Sequence, residues 1–521
     1  MMKNEGKNLG QKSFNGFIWT FFALFANQIF NIISMAVLSR LLIPYQFGVI
    51  GAAMLFIEFL NIINNLGVAS SLKIKRKDIT ITKEHEYTAF TCSLLLGVFV
   101  YLVVFAVSWP AAAFFRIPEL GPVLRVLGVV FFITSFSTVP KAILSRKMHF
   151  KQLASNNTLS QFFGWTVFSI GLALLGFGYW SIVGGRIANV LFGSIGLMIR
   201  QPHSKRIGIN KKAFKDIFGF GARVSVQNII QYYAQQSDTI IVGRVMGGTA
   251  LGIYNRAYSL MAVFANFLGN SLSGVLMTST SIIHDNNERV SKAFDKLVKL
   301  SSLLLLPITT VIMVFAPEII KLILGNQWGG SVILFQVLAV GTFFRFGYQI
   351  GTTITIALDK VNAVIIRQLI YLALVIITVL IGIQYSLTGV AIAVLGCLCF
   401  NYIMCSVQII QLVKYPVMAF IKAHVAGIRI SVMVFIVSFG MRYLFNEVFK
   451  INYVITLLAG MAITGGAVLF FYFFIPSFYG KENIKIVKNL LKGFLKGKKG
   501  KGKWQNICWW QRCPGHTKLA S

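Results

Sequence analysis

Arginine and carboxylate side chains lie inside long apolar stretches of this sequence, where an ionised group needs a task or a partner. These groups are Arg186, Arg223, Arg256, Arg345, Glu58 and Asp238. Arginine presents a planar fork of N–H donors that fits the oxygens of a phosphate group. Because the arginines outnumber the carboxylates, the set favours an anionic cargo. Structural pairing of a carboxylate with an arginine stays open for each residue.

Amide side chains form stripes in the same stretches. Asn27, Asn31 and Ser34 share one face of a predicted helix because they are spaced i, i+4 and i+7. Three other predicted helices carry the polar sets Arg223, Gln227, Gln231, Gln235 and Asp238; Glu58, Asn61 and Asn65; and Arg256, Ser259, Asn266 and Asn270. Lipid cannot satisfy these groups. The stripes therefore predict a polar chamber walled by four helices, with interhelical hydrogen bonding as the alternative.

The composition indicates whether the helices that carry these stripes lie in water or in lipid. Of the 521 residues, 56% are hydrophobic and 12% are charged, whereas soluble proteins have about 25% charged residues. The net charge of +34 would suggest a nucleic-acid partner. The cations lie in the connectors between apolar stretches and form no separate basic face. A soluble globular protein and a nucleic-acid binder are therefore excluded.

The apolar stretches are long enough to cross a bilayer, which needs roughly 20 residues per helix. The sequence predicts an all-α integral membrane protein with about fourteen transmembrane helices. The predicted spans are 14–38, 47–70, 88–109, 122–143, 157–177, 179–199, 217–246, 251–279, 300–324, 332–358, 363–384, 387–412, 425–445 and 453–475.

Lysine and arginine are concentrated in alternate connectors and in the tail, which predicts that both termini are cytoplasmic. The first span is too long for a signal peptide and is expected to be retained. The predicted regions are an N-terminus at 1–13, a first lobe at 14–200, a basic linker at 201–216, a second lobe at 217–412, two additional spans at 425–475 and a basic amphipathic tail at 476–521.

An internal repeat relates the two predicted lobes. A shift of 204 residues places 37–49 over 241–253, so that Arg40 meets Arg244 and Gly48 meets Gly252. Since the shift covers six spans, the two copies have the same orientation across the bilayer. We therefore expect two parallel, pseudo-symmetric lobes of six helices each.

The tail predicts a peripheral membrane contact. Ile484, Val487, Leu491 and Phe494 mark an apolar helical face, opposite Lys481, Lys485, Lys488, Lys492 and Lys496. Such a helix is expected to lie on anionic lipids of the inner leaflet, and a solvated tail is the alternative.

Catalytic and metal motifs are weak. No Walker loop or dinucleotide turn follows a strand pattern. Cys508, Cys513 and His516 resemble part of a zinc site, but a fourth ligand is missing. We expect no enzymatic activity, no cofactor and no metal site.

Three motifs resemble those of a known family. Residues 38–48 (LSRLLIPYQFG) and 176–183 (GFGYWSIV) resemble turns of polysaccharide flippases in the multidrug/oligosaccharidyl-lipid/polysaccharide (MOP) exporter superfamily. Residues 237–244 (SDTIIVGR) with 251–258 (LGIYNRAY) are similar to the signature of its Wzx-like subgroup, which includes colanic-acid and teichuronic-acid exporters. Gln46 replaces the acidic residue that is usual in the first turn.

The resemblance implies a V-shaped transporter that flips undecaprenyl-pyrophosphate-linked oligosaccharides across the bacterial inner membrane by alternating access. It implies that Arg223 captures the pyrophosphate and that Arg186, Arg256 and Arg345 relay or hold it. The Asn and Gln stripes would bind sugar hydroxyls, and Asp238 or Glu58 could couple a proton or another cation. A polysaccharide polymerase and chain-length proteins could be partners.

Two other functions are weighed against flipping. A drug/cation antiporter of the same superfamily is disfavoured because an arginine-rich chamber repels cationic drugs. A polysaccharide polymerase or membrane glycosyltransferase would need a large outer loop or a catalytic domain, and the longest outer connector, near 110–121, is too short.

Overall fold

The computed structural model describes most of the chain. The described residues are 2–64, 82–202, 206–210, 221–280, 287–358, 360–475, 478, 480 and 483–484, with side chains undescribed at 2–18, 221–227, 264–280, 287 and 289. The predicted amphipathic face of the tail and its Cys508, Cys513 and His516 lie outside this part, apart from Ile484.

Fourteen long helices make up the described part of the chain, which confirms the predicted all-helical architecture. They are α1 (Met2–Leu41), α2 (Pro44–Asn64), α3 (Lys83–Phe115), α4 (Leu120–Arg146), α5 (Phe150–Leu159, continued by π-helical Ser160–Val167 and by Phe168–Leu174), α6 (Trp180–Arg200), α7 and α8 (the two arms of Gly221–Thr280), α9 (Asn287–Val314), α10 (Ser331–Ala357), α11 (Val361–Gly382), α12 (Leu387–Val413), α13 (Val417–Tyr443, continued by π-helical Leu444–Val448) and α14 (Tyr453–Phe474).

Eleven of the helices are, within their described residues, long and apolar enough to span a membrane. The other three are α5, which is divided by its π-helical segment, and α7 and α8, which carry polar stripes. Within the described residues, each of the fourteen predicted spans overlaps one of these helices. The protein is therefore a multi-pass membrane protein.

One predicted span is divided between two helices in the structure. The span at 300–324 is not continuous, because α9 ends at Val314 and a separate short helix, Ala316–Ile323, follows. Pro317 lies in the first turn of the short helix, where its missing N–H is tolerated and where it disfavours helical backbone before it. The helix is therefore interrupted at Phe315.

A glycine separates α7 from α8. Gly247 has φ 80° and ψ −176°, which breaks the helix within Gly221–Thr280. A residue with a Cβ rarely adopts this backbone conformation, whereas glycine does so readily. The sharp break lets α8 return along α7 instead of extending it.

Helices α2 and α8 cross in direct backbone contact at a site that we call the glycine crossing, formed by Pro44, Gly48, Gly51, Gly248, Gly252 and Asn255. A Cβ on Gly48 would lie 1.8 Å from the carbonyl oxygen of Gly248, and a Cβ on Gly252 would lie 1.9 Å from that of Pro44. A Cβ on Gly51 would lie 1.9 Å from the side-chain nitrogen of Asn255. The 204-residue shift interchanges the Gly48–Gly248 and Gly252–Pro44 contacts, and it maps the Gly51–Asn255 contact onto itself. Only glycine fits this approach.

Side-chain hydrogen bonds join the same region to the short helix that follows α9. Arg40 donates to the carbonyl of Leu322 at 2.8 Å, and the indole of Trp328 donates to that of Ser39 at 2.7 Å. Trp328 is fully buried and its ring packs against Phe47. The end of α1 is therefore fixed to the second half of the chain.

Helices α13 and α14 attach to this framework through a buried carboxylate. Glu318 is 3% exposed and accepts from Arg442 Nε and Asn446 Nδ2, both at 2.8 Å. Asn446 in turn accepts from Thr456 of α14 at 3.1 Å. Replacing one member of such a pair leaves a buried charge unpaired.

The glycine crossing makes a direct prediction. Gly48→Ala adds a Cβ that must displace the backbone of α8, and overpacking of this kind costs about 1–3 kcal/mol. The thermal unfolding midpoint of the purified protein is expected to fall. Gly396→Ala is the matched control, because no atom lies within 4 Å of the added Cβ. If Gly48→Ala and Gly396→Ala had equal thermal unfolding midpoints, α2 and α8 could move apart at the crossing without a loss of stability.

Candidate functional site

Glu58 and Arg186 face each other across a polar region. Glu58 lies in the apolar helix α2, yet its side chain is exposed while Leu55, Ile57 and Leu60 around it are buried. Arg186 of α6 acts on it electrostatically without forming an ion pair. Arg186 Nε is buried and has no hydrogen-bond partner. The two groups are close enough to interact and still have free hydrogen-bonding capacity.

Tyr232 of α7 lies beside this pair. Its hydroxyl donates to the carbonyl of Leu55 at 2.5 Å, and its ring contacts Phe59 with centroids 5.8 Å apart. The hydroxyl also interacts electrostatically with Glu58. Side chains of α2, α6 and α7 therefore meet in one polar region, whereas the stripes predicted walls from the first, second, seventh and eighth helices.

Arg256 is held at the glycine crossing. Its guanidinium lies 4.0 Å from the centre of the Phe47 ring, a cation–π contact, and its Nε is buried without a hydrogen-bond partner. Among the residues described, no carboxylate pairs with it. Arg256 therefore carries an uncompensated charge, and the aromatic ring fixes its position.

Asp238 and Arg345 belong to one buried network. Asp238 is 3% exposed and accepts from the Tyr254 hydroxyl at 2.6 Å and from the Thr239 N–H at 2.7 Å. Arg345 donates to the Tyr258 hydroxyl, lies 5.1 Å over its ring and attracts Asp238. The carboxylate is thus satisfied and has a countercharge, as expected of structural pairing.

An amide ladder crosses the first half of the chain on α1, α5 and α6. Gln161 donates to Asn31 Oδ1 at 2.7 Å, and Asn189 donates to Gln161 Oε1 at 3.2 Å. Ser34 donates to Thr166 at 3.0 Å. Gln161 and Thr166 lie in the π-helical segment of α5, and such segments are frequent at functional sites.

The remaining predicted residues fall into two groups. Gln231 and Gln235 are half-buried on α7, and Asn27 Oδ1 is buried without a partner. Arg223, Gln227 and Asn266 lie where side chains are not described. Their predicted roles stay predictions.

The turn motifs have packing contacts. Arg40 reaches the short helix after α9, and Arg244 lies 5.3 Å over the Phe114 ring. Gly48 and Gly252 form the glycine crossing. These residues position the helices that carry the polar region.

Sequence reasoning missed Gln161, Asn189 and Tyr232. Each is a polar residue in an apolar helix, which is itself a signal because lipid cannot satisfy such a group. They were missed because none belongs to a periodic stripe of its own. In the described part of the chain, no group of His, Cys, Asp and Glu is arranged to hold a metal ion.

Comparison with known proteins places this chain in a family. A family model described as polysaccharide biosynthesis protein matches residues 37–333, more than half of the chain. The lipopolysaccharide biosynthesis protein WzxC of Escherichia coli is 24% identical over 354 residues, covering 66% of this chain and 70% of the relative. The teichuronic acid biosynthesis protein TuaB of Bacillus subtilis is 23% identical over 337 residues, covering 64% and 68%. The succinoglycan biosynthesis transport protein ExoT of Rhizobium meliloti is 23% identical over 308 residues, and the match spans 59% of this chain and 62% of that relative.

Solved structures share the fold at low sequence identity. The lipid II flippase MurJ in an inward closed conformation superposes with a TM-score of 0.69 at 13% identity, covering 88% of this chain and 100% of that one. An inward-facing MATE multidrug resistance transporter of the MOP superfamily gives 0.61 at 17% identity, covering 76% and 96%. The family match shows that this chain belongs to the polysaccharide biosynthesis protein family, and its multi-pass membrane fold is the one seen in MurJ and the MATE transporter.

Proposed function

We propose that this protein flips undecaprenyl-pyrophosphate-linked oligosaccharides across the bacterial inner membrane for surface polysaccharide synthesis, by alternating access. The observation that carries the proposal is the polar region in which Arg186 lies near Glu58 with its Nε unpartnered. Membership of a polysaccharide transport family supplies the saccharide context. An arginine with free donors inside a membrane suits a phosphate-bearing cargo.

The proposal assigns the two lobes at 14–200 and 217–412 to the moving parts. Contacts at the glycine crossing support this assignment. The 204-residue shift turns the Gly48–Gly248 contact into the Gly252–Pro44 contact, as an interface between two halves related by a two-fold axis requires. The linker at 201–216, the spans at 425–475 and the tail at 476–521 complete the proposed organisation. Both termini are proposed to be cytoplasmic, with the tail on anionic lipid.

The structure distinguishes among the proposed phosphate-binding arginines. Arg186 has an unpartnered Nε beside an exposed carboxylate. Arg345 already donates to Tyr258, and Arg256 lies against Phe47. We therefore assign phosphate binding first to Arg186 and to Arg223, whose side chain is not described. Arg256 and Arg345 are proposed to contribute positive potential to the cavity.

Sugar hydroxyls are proposed to bind the amide groups. The ladder of Asn31, Gln161 and Asn189 presents donors and acceptors on three helices, and Gln231 and Gln235 are half-buried on α7. Amides both donate and accept, as recognition of a hydroxyl requires. A polymerase and chain-length proteins remain proposed partners.

Removal of the arginine charge tests the cargo assignment. Arg186→Ala is expected to reduce flipping about tenfold or more, because a hydrogen bond to a charged group contributes roughly 1.5–3 kcal/mol. The measurement is uptake of defined lipid-linked oligosaccharides by inside-out vesicles, with accumulation of inner-leaflet repeat units in a deletion host as a second readout. Arg429→Ala, at an exposed position on α13, is the control. Unchanged surface polysaccharide and transport with Arg186→Ala at normal expression would contradict the assignment.

Glu58 and Asp238 were both predicted to couple a cation, and their surroundings predict different outcomes. Asp238 is buried and hydrogen-bonded, so Asp238→Asn is expected to lower stability by about 1–3 kcal/mol. Glu58 is exposed and forms no ion pair with any described residue, so Glu58→Gln is expected to leave the thermal midpoint unchanged and to abolish stimulation of transport by a proton gradient. If a proton gradient stimulated transport by Glu58→Gln as strongly as transport by the wild type, Glu58 would be excluded as the coupling group.

A further inference from the structure

A buried arginine in the second half of the chain takes no part in the interactions described above. Arg367 of α11 is 2% exposed. Its Nη1 donates to Asn401 Oδ1 of α12 at 3.4 Å, and its Nη2 donates to the Thr352 hydroxyl of α10. The guanidinium therefore lies where three helices meet, and both of its described partners are neutral.

The charge of Arg367 has no compensating carboxylate among the described residues. Arg442, by contrast, pairs with Glu318 at 2.8 Å, and Arg345 attracts Asp238. No described Asp or Glu lies within 4.0 Å of the Arg367 guanidinium. An uncompensated charge buried inside the protein is costly, so a counterion is expected.

The neighbouring thiol does not supply the missing charge. Cys405 is 1% exposed and interacts electrostatically with Arg367. Its sulfur donates to the carbonyl of Tyr348 at 3.6 Å, which requires the protonated thiol. Cys405 is therefore neutral in this arrangement.

Unpartnered donors accompany the unpartnered charge. Arg367 Nε and Asn401 Nδ2 are both buried N–H donors without an acceptor, although Asn401 is fully buried. A buried donor left without a partner costs about 1–3 kcal/mol and calls for a bound water or ion. A water molecule would accept hydrogen bonds from these donors but would leave the positive charge of Arg367 uncompensated, whereas an anion would accept the hydrogen bonds and also compensate the charge.

We propose that Arg367 and Asn401 bind a small inorganic anion of halide size between α10, α11 and α12. A cation is excluded by the positive charge of the site. A lipid-linked pyrophosphate is excluded by size, because Arg367, Asn401 and Cys405 are each at most 2% exposed. The anion joins three helices by neutralising the charge where they meet. This site is independent of the proposed transport function.

Halide dependence of stability tests the site in the purified full-length protein. Replacing gluconate by chloride or bromide at constant ionic strength is expected to raise the thermal midpoint saturably, by at least ~3 °C, because the anion binds only the folded state. Asn401→Asp places a carboxylate beside Arg367 and is expected to raise the midpoint in gluconate to the wild-type value in halide, with no further halide effect. Arg429→Gln removes an exposed arginine on α13 and is expected to keep the wild-type halide effect.

Two results would overturn the proposal. One is a wild-type midpoint that is equal in gluconate and in halide, and the other is an Asn401→Asp variant with an undiminished halide effect. If Asn401→Asp does not fold, anomalous diffraction from wild-type crystals in bromide decides. A peak within about 3.5 Å of Arg367 Nε supports the site, and the absence of a peak there shows that water alone fills it.

Discussion

The hydrocarbon core of a bilayer cannot solvate a charge, and this constraint determines where the polar groups of the protein lie. Asp238 and Arg345 share one buried network, and Glu318 pairs directly with Arg442. Both arrangements provide inside the protein the stabilisation that water would otherwise give. Glu58 differs because it stays exposed and forms no ion pair within the part of the chain that the structure describes. The groups that are not satisfied within the protein are the ones most suited to bind something else.

Backbone packing provides the second condition for such a site. The glycine crossing brings α2 and α8 into contact without side chains between them, and these two helices carry Glu58 and Arg256. Close approach through small residues is the usual way in which membrane helices associate. The same contact holds Phe47 beneath Arg256 and against Trp328. The position of the polar region thus depends on the glycines of the crossing and on Phe47, which carry no ionisable or hydrogen-bonding side chain.

Much of the architecture could be predicted from the sequence because lipid imposes long apolar helices. The fourteen spans follow from hydropathy and helical periodicity, whereas the stripes assigned α2 and α7, but not α6, to the polar region. The separation of 300–324 into two helices at Pro317 depended on local backbone chemistry that hydropathy does not register. The partners of isolated polar residues, such as Gln161 with Asn31 and Asn189, depended on tertiary contacts that periodicity does not report. For the same reason, Asp238 and Arg345 were assigned separate roles although they share a network.

The contact between Gly51 and Asn255 has a consequence for how such a chain could have arisen. These positions are counterparts under the 204-residue shift, yet one has no side chain and the other fills the space that this leaves. Two asparagines there would overlap, and two glycines would leave a gap. A dimer of two identical halves could not make this contact. If a duplicated ancestral gene gave rise to the chain, its halves have since become complementary at this point and are no longer interchangeable.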